Sequence, residues 1–507
     1  MVAAILSRHS TQTTLVHSPE SHPSEALQQI YSCTPGELSS HQVRYKHLLD
    51  RFNALHPESQ TRFVIRAPGR VNLIGEHTDY SGYPVLPMAI DRDIVVVVSP
   101  RSDRSIDLQN EDDRFARKVF DAELPLPPFQ QGDWGNYAKA AVHGILEAGL
   151  VNRQRAVGYQ ALVGGAIPES SGLSSSSALV VASALAFLKA NRIQFDRSAL
   201  ADLLAHAERY VGSEGGGMDQ AVSLLAEPGK ALRIDFFPLR TKVVDLPKGI
   251  TFVACNSLIR APKSETARYA YNRRVIECRL AGALLSKIVL KETGKSVKCV
   301  RLADVSAKRL SIDPKHVEEM ALRGIGDKPL SMPDIARRLD ESVESVEREY
   351  CRLQDGSALK QPPDGFKVWN RYRHVVSEAA RVDDAERAFR DGTADEIGEL
   401  MNQSHASCRD DYELSCLELE ALVSISRRHG AVGARLTGAG FGGCTVNAVP
   451  SEIVGDFIKG VTEEYYRGFV KQQAKTEFTP YRELSDVIFP CRATMGAGAW
   501  PAEEIAG

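Results

Sequence analysis

Between Ala67 and Ile90 the chain reads APGRVNLIGEHTDYSGYPVLPMAI. Arg70, Asn72, Glu76, His77, Thr78, Asp79 and Tyr80 crowd hydrogen-bonding groups onto a segment punctuated by Gly69, Gly75 and Gly82. Carboxylates and an imidazole together accept from and donate to several hydroxyls at once, which suits a small polyhydroxylated ligand. A solvated loop between two strands is the open alternative on chemistry alone.

A second cluster reads PESSGLSSSSAL from Pro168 to Leu179. A strand-like run precedes it and the apolar ALVVASALAFL follows, so Gly172 lets the backbone turn tightly and the Ser174–Ser177 run opens a helix. Unpaired N–H groups and the positive end of the helix dipole would hold phosphate oxygens there. One serine hydroxyl could also ligate Mg²⁺. The segment is not a P-loop, since no Gly-Lys-Ser/Thr follows, and it lacks the final glycine of a nucleophile elbow. A Ser-rich linker would not run straight into an apolar helix.

Two carboxylates follow, Glu208 in AHAERYVG and Asp219 in GSEGGGMDQ. Three successive glycines, ending at Gly217, mark a backbone that must approach something closely, although a glycine-rich turn capped by Asp would read the same way. A last glycine-rich turn, LTGAGFGGCTV from Leu436 to Val446, would equally serve a tight hairpin or a packed strand corner.

The elements that must position these groups alternate in type. Apolar runs predict strands at Phe63–Ile65, Val85–Ile90, Ile94–Val98, Tyr159–Ile167 and Gly249–Cys255. Helical patterns cover Lys46–Leu55, Trp134–Leu146, Ala178–Ala190, Ala199–Val211, 367–390 and 414–428, with a strand–turn pattern at Ala434–Ala448. From about 285 to 365 the chain is charge-rich and broken by prolines, which reads as a helical insertion. The result is an α+β or α/β protein.

Composition excludes several classes. The 507 residues are 43% hydrophobic and 25% charged, with a formal net charge of −3, as in an ordinary soluble globular chain. Neither nucleic acid nor an anionic membrane surface is an expected partner, and no apolar run reaches the roughly 20 residues of a membrane span. Nine scattered cysteines without C-x-x-C argue for reduced thiols and against a zinc site, which fits a cytoplasmic protein. The first 45 residues are Ser/Thr/His-rich and read as a variable, partly disordered extension, without the Arg pattern of a transit peptide.

Nearly residue for residue from Gly69 to Ala89, the first stretch resembles the galactokinase motif of the GHMP small-molecule kinases. PESSGLSSSSAL and LTGAGFGG resemble the second and third motifs of that family, in the family's order. The resemblance covers roughly residues 45–280 and 365–450. It implies an α+β, two-lobed GHMP kinase fold: a variable extension over 1–45, an N-terminal α/β lobe over 46–240, and a C-terminal ferredoxin-like lobe over 241–507 carrying the insertion. It also implies a monomer that transfers the γ-phosphoryl group of ATP to the C1 hydroxyl of a galactose-type sugar.

By the same resemblance, Arg70 and Asp219 are catalytic, and Glu76, His77, Asp79, Gly217 and Tyr271 bind the sugar. Gly172, Leu173 and Ser174–Ser176 hold the phosphates, Ser176 and Glu208 hold Mg²⁺, and Trp134 and Lys263 lie near the nucleotide. As a bare residue Trp134 reads equally as helix core. Ser170 departs from the glycine usual in galactokinases, and the Ser170-Ser171 pair with the four-serine run is similar to the N-acetylgalactosamine kinase branch, which stays open as an alternative acceptor. A non-catalytic sugar sensor is disfavoured because the serine loop, Arg70 and Asp219 are all present.

Overall fold

The computed structural model describes residues 23–212, 215–259, 265–353, 358–473, 481 and 483–506. Two helices, α1 (Pro23–Tyr31) and α2 (Pro35–Leu55), lead into the long strands β1 (Phe63–Ile74) and β2 (Leu86–Pro100). After them come β3 (Ser105–Asn110), β4 (Lys118–Asp121), α3 (Gly135–Glu147), β5 (Tyr159–Gly165), α4 (Ser175–Ala190), α5 (Arg197–Ala207) and α6 (Met218–Leu225). A hairpin, β6 (Lys230–Asp235) and β7 (Arg240–Asp245), leads to β8 (Ile250–Asn256) and the long helix α7 (Glu265–Thr293).

The insertion contributes α8 (Pro314–Ile325), α9 (Met332–Leu339) and α10 (Val343–Tyr350). The chain then forms α11 (Val368–Asp391), α12 (Ala394–Asp410), α13 (Leu417–Arg428), β9 (Gly433–Thr437), β10 (Cys444–Pro450) and α14 (Val454–Val461). It ends with β11 (Ile488–Pro490) and β12 (Gly498–Pro501).

The first sheet has the order β12-β1-β2-β5-β3-β4, with only β3 and β5 parallel. The run VVVV in β2 is apolar without alternation because both faces of this sheet are covered. Val96 and Val98 face the main core with α4, whereas Val95 and Val97 face α1 and α2. The second sheet, β11-β8-β10-β9, is antiparallel. Its Phe252, Ala254, Val446 and Ala448 join the main core, so the two lobes share one apolar seam. The insertion packs against α7 and α11 in a separate cluster around Met320, Ile335, Phe366 and Tyr372.

Four sequence expectations need correction. The chain from Pro23 to residue 45 is helical and packed, not a partly disordered extension; residues 1–22 lie outside the described residues. Neither β3–β4 nor β6–β7 had a counterpart among the expected strands. These strands are short or carry several charges, so their alternation is weak. The final strand β12 pairs with β1, Phe63 opposite Pro501, so the end of the chain lies in the first sheet and not in the C-terminal lobe.

What holds the N-terminal helices is a buried charge. Asp93, fully enclosed, accepts from Tyr31 Oη at 2.6 Å, Arg66 Nε at 2.7 Å and Arg44 Nη1 at 2.6 Å. Arg66 also donates to Ile90 O at 3.0 Å and to Thr494 Oγ1 at 2.8 Å, tying in the chain's last segment. These guanidinium groups hold the Asp93 carboxyl well below the usual carboxylate range despite its burial. Its contribution to stability is therefore complete above the unfolded-state pKa of about 3.9 and is lost as pH falls through the lower folded value. Asp93→Asn strands two guanidinium groups, and chemical denaturation at neutral pH should show a loss of about 3–5 kcal/mol. An unchanged midpoint and slope would contradict this account.

Candidate active site

The site forms where three turns touch backbone to backbone. Ser174 precedes α4 with a left-handed backbone (φ 65°), and Gly172 turns the chain just before it (φ 75°). A Cβ on Gly438 would stand 2.4 Å from Gly172 O, so the third glycine-rich turn can rest on the phosphate loop only as glycine. Cys444 N donates to Ser171 O at 2.9 Å from the same side. The first-turn N–H groups of α4 lack intrahelical partners and lie beside the half-buried Ser175 and Ser176. The Ser174 hydroxyl is buried with no hydrogen-bond partner among the described residues, a polar atom left for a ligand.

Arg70 reaches this loop because β1 is irregular there: its register with β2 shifts between Pro68 and Arg70. Arg70 N donates to Leu173 O at 3.1 Å, Nη1 donates to Gly172 O, and Nε donates to Asp219 Oδ1 at 2.9 Å. Asp219 stands on the first turn of α6. Ser177 Oγ donates to both oxygens of Glu208 at 3.0 Å and lies 3.5 Å from Asp219 Oδ2. Gln220 Nε2 also donates to Glu208.

Two carboxylates and a hydroxyl, all hard oxygen donors beside a phosphate loop, fit Mg²⁺, which takes one or two carboxylates and completes its shell with phosphates and water. It is Ser177, and not the Ser176 expected from the sequence, whose hydroxyl meets Glu208. Among the described residues no cluster of three or more His, Cys, Asp or Glu could hold a metal without substrate oxygens.

The turn from Gly75 to Tyr80 closes the site from the other side. Asp79 Oδ2 accepts from Gly216 N at 3.1 Å and Met218 N at 3.4 Å. A Cβ on Gly216 would fall 2.2 Å from Tyr80 N, so this is the close approach that the three glycines serve. Burial, with the Asp219 charge nearby, pushes the Asp79 carboxyl up to about 6. Glu76 Oε2 accepts from Arg435 Nη2 at 2.9 Å and Gly438 N at 3.1 Å, and among the described residues nothing donates to Oε1. Burial and the neighbouring His374 push the His77 imidazole down to about 3, so it is neutral near pH 7. Tyr271, on α7, packs its ring 5.4 Å from that of His77.

Residues that sequence reasoning missed lie behind this turn. Glu378 Oε1, on α11, accepts from Gly75 N at 2.9 Å and Glu76 N at 3.0 Å, and Arg381 Nε donates to Oε2 at 2.7 Å. His374 Nε2 donates to Glu76 O at 3.0 Å and accepts at Nδ1 from Ser407 Oγ at 2.8 Å. A charged residue in the buried strand GARLT was the one visible signal for Arg435. Trp134 sits just before α3, and its hydrogen bond to Ala116 O at 2.9 Å and its ring contact with Phe115 turn it to that segment and not to the phosphate loop. Lys263 lies outside the described residues.

Comparison with known proteins agrees with this geometry. Residues 50–100 match the galactokinase galactose-binding signature, 136–227 the GHMP kinase N-terminal domain and 385–460 the GHMP kinase C-terminal domain. A galactokinase of Dictyostelium discoideum is 36% identical, over 92% of this chain and 96% of its own length. One of Saccharomyces cerevisiae is 35% identical over 87% and 92%. The solved Lactococcus lactis galactokinase, in complex with galactose, superposes with a TM-score of 0.66 at 26% identity, over 89% of this chain and 98% of that one. With the galactose-binding signature lying on the turn that holds Glu76, His77 and Asp79, and with both GHMP domains in place around it, the chain belongs to the galactokinase family of GHMP kinases.

Proposed function

We propose that the protein is a galactokinase that transfers the γ-phosphoryl group of ATP to the C1 hydroxyl of galactose, giving α-galactose 1-phosphate. The observation that carries this reading is the Arg70–Asp219 pair, set between the phosphate loop and the Gly75–Tyr80 turn. Phosphoryl transfer passes through a loose transition state, so positioning and charge stabilisation do most of the work.

Asp219 orients the C1 hydroxyl and takes its proton, while Arg70 pairs with Asp219 and faces the charge developing on the transferred group. The α4 N-terminus and Ser174–Ser176 hold the phosphate oxygens. Glu208, with the neighbouring serine hydroxyls, would hold Mg²⁺, which supplies charge neutralisation on the phosphates. Asp79, His77 and Glu76 Oε1 are the groups left to read the sugar hydroxyls, and a site built to bond a hydroxyl rejects a sugar that misplaces it.

Asp219→Asn should retain the wild-type unfolding midpoint and lose on the order of 10²–10⁴ in kcat. Arg70→Ala should lose on the order of 10²–10³ with the fold kept. Near-normal turnover by either purified variant sinks the assigned roles. The substrate is tested by comparing kcat/KM for galactose and N-acetylgalactosamine with ATP: galactose should be preferred. A preference for the N-acetyl sugar moves the enzyme to the other branch, and no turnover of either makes it a sensor.

Asp79 gives a pH signature. Its carboxyl is ionised only above about 6, so kcat/KM for galactose should fall on the acid side with an apparent pKa near that value. Asp79→Asn should flatten that limb; a limb that persists unchanged assigns it to another group.

A further inference from the structure

The chain leaves the first sheet at Ile74, where β1 ends, so the peptide groups of Gly75 and Glu76 need partners other than a strand. One face of α11 supplies them. His374 and Glu378 stand four residues apart on that helix, and both are fully buried. Glu378 Oε1 accepts from Gly75 N at 2.9 Å and from Glu76 N at 3.0 Å, while His374 Nε2–H donates to Glu76 O at 3.0 Å. The successive peptide planes Ile74–Gly75, Gly75–Glu76 and Glu76–His77 are thereby all held from one helix.

We propose that His374 and Glu378 are positioning residues for sugar recognition, which aim the Glu76 and His77 side chains by fixing these peptide planes and do not themselves touch the sugar. The inference rests on the reading of the Gly75–Tyr80 turn as the sugar site.

The direction of each bond follows from its chemistry. Glu76 O can only accept, so His374 carries its proton on Nε2, and Nδ1 accepts from Ser407 Oγ as it must in a neutral ring. Burial pushes the His374 imidazole down to about 4, so the ring is neutral near pH 7, and Tyr412 packs against it at 4.2 Å between centroids. The Glu378 carboxylate can only accept from the two backbone N–H groups, from Ser404 Oγ at 2.7 Å and from Arg381 Nε at 2.7 Å. Donors on both oxygens leave it no second orientation. The turn needs such support, because His77 has a left-handed backbone (φ 59°), which a residue with a Cβ keeps only where its surroundings over-determine it. Glu76 N, O and Oε2 are all committed to protein groups, so any shift of this backbone moves Oε1 and the adjoining imidazole together. A hydroxyl-reading site with its groups displaced binds its sugar less well. The phosphate loop is held by other partners, Arg70 N on Leu173 O and Cys444 N on Ser171 O.

Three variants of the full chain test this. In Glu378→Gln the amide cannot accept from both the backbone N–H groups and Arg381; His374→Leu removes the donor to Glu76 O; His374→Gln can still donate there. Steady-state kinetics should show the galactose KM raised on the order of tenfold in Glu378→Gln and His374→Leu, with kcat and the ATP KM within about twofold of wild type. His374→Gln should recover most of that loss. A wild-type galactose KM in a folded Glu378→Gln or His374→Leu, an equal rise in both KM values, or a His374→Gln no better than His374→Leu would overturn the proposal. So would loss of the fold in all three, since the contacts would then be structural only. Hydrogen exchange without sugar reads the clamp separately: it should rise over residues 70–80 in Glu378→Gln and His374→Leu and stay unchanged over 172–179, and no rise over 70–80 overturns the clamp itself. If the wild type turns over no galactose while exchange rises as expected, it is the sugar-site reading that fails, and the hold of α11 on the turn stands by itself.

Discussion

The site exists because three separate turns can meet without side chains between them. Gly438 lies where a Cβ would be 2.4 Å from Gly172 O, and Gly216 where one would be 2.2 Å from Tyr80 N. Both obstacles are backbone, which cannot step aside as a flexible side chain can. The first contact sets the third glycine turn on the phosphate loop, and the second sets α6, with Asp219 in its first turn, against the turn that carries Asp79. The distance between the Gly172–Ser176 loop and the Gly75–Tyr80 turn is thus fixed by contacts between main chains. That is the rigidity an in-line transfer needs, since a small misplacement of reacting atoms costs rate steeply.

Charge is placed on that frame from behind. Glu76 would be an expensive buried carboxylate alone; Arg435 and Gly438 N compensate one oxygen and leave the other for a ligand. Glu378, held below the usual carboxylate range by Arg381 and Arg435, grips the backbone N–H groups of Gly75 and Glu76. At Asp79 burial, with the Asp219 charge nearby, raises the carboxyl. Burial thus raises both carboxyls of this turn, opposed at Glu76 by Arg435 and reinforced at Asp79 by the Asp219 charge.

Much of this was legible in sequence where local pattern and chemistry coincide. The strands around GRVNLIGEHTDY, the apolar helix after the serine run and the glycine turns all announce themselves within about 20 residues. The Arg70–Asp219 pair joins two such motifs, and the resemblance sufficed to bring them together. What stayed hidden depends on distant chain: Arg435 meets Glu76 across 359 positions, and Glu378 meets Gly75 across 303. Neither has a local signature beyond a charge at an apolar position. The serine run shows the opposite difficulty, since four identical residues give no local means of telling which hydroxyl turns toward Glu208; helix phase decides for Ser177.

The helical insertion reads from sequence as remote from chemistry, and its own core of Met320, Ile335 and Phe366 agrees. Yet α7, which it packs against, carries both Tyr271 beside His77 and Cys278 behind Tyr412. The neighbouring Glu277 on that helix is fully buried and paired with Arg371 of α11 at 2.6 Å, while α11 also supplies His374 and Glu378 to the sugar turn. The insertion thus supports the Gly75–Tyr80 turn indirectly, by packing on two helices whose inner faces form its wall. Its residues need not reach the ligand to matter, because a fixed imidazole and a fixed backbone are only as well placed as the helices that hold them.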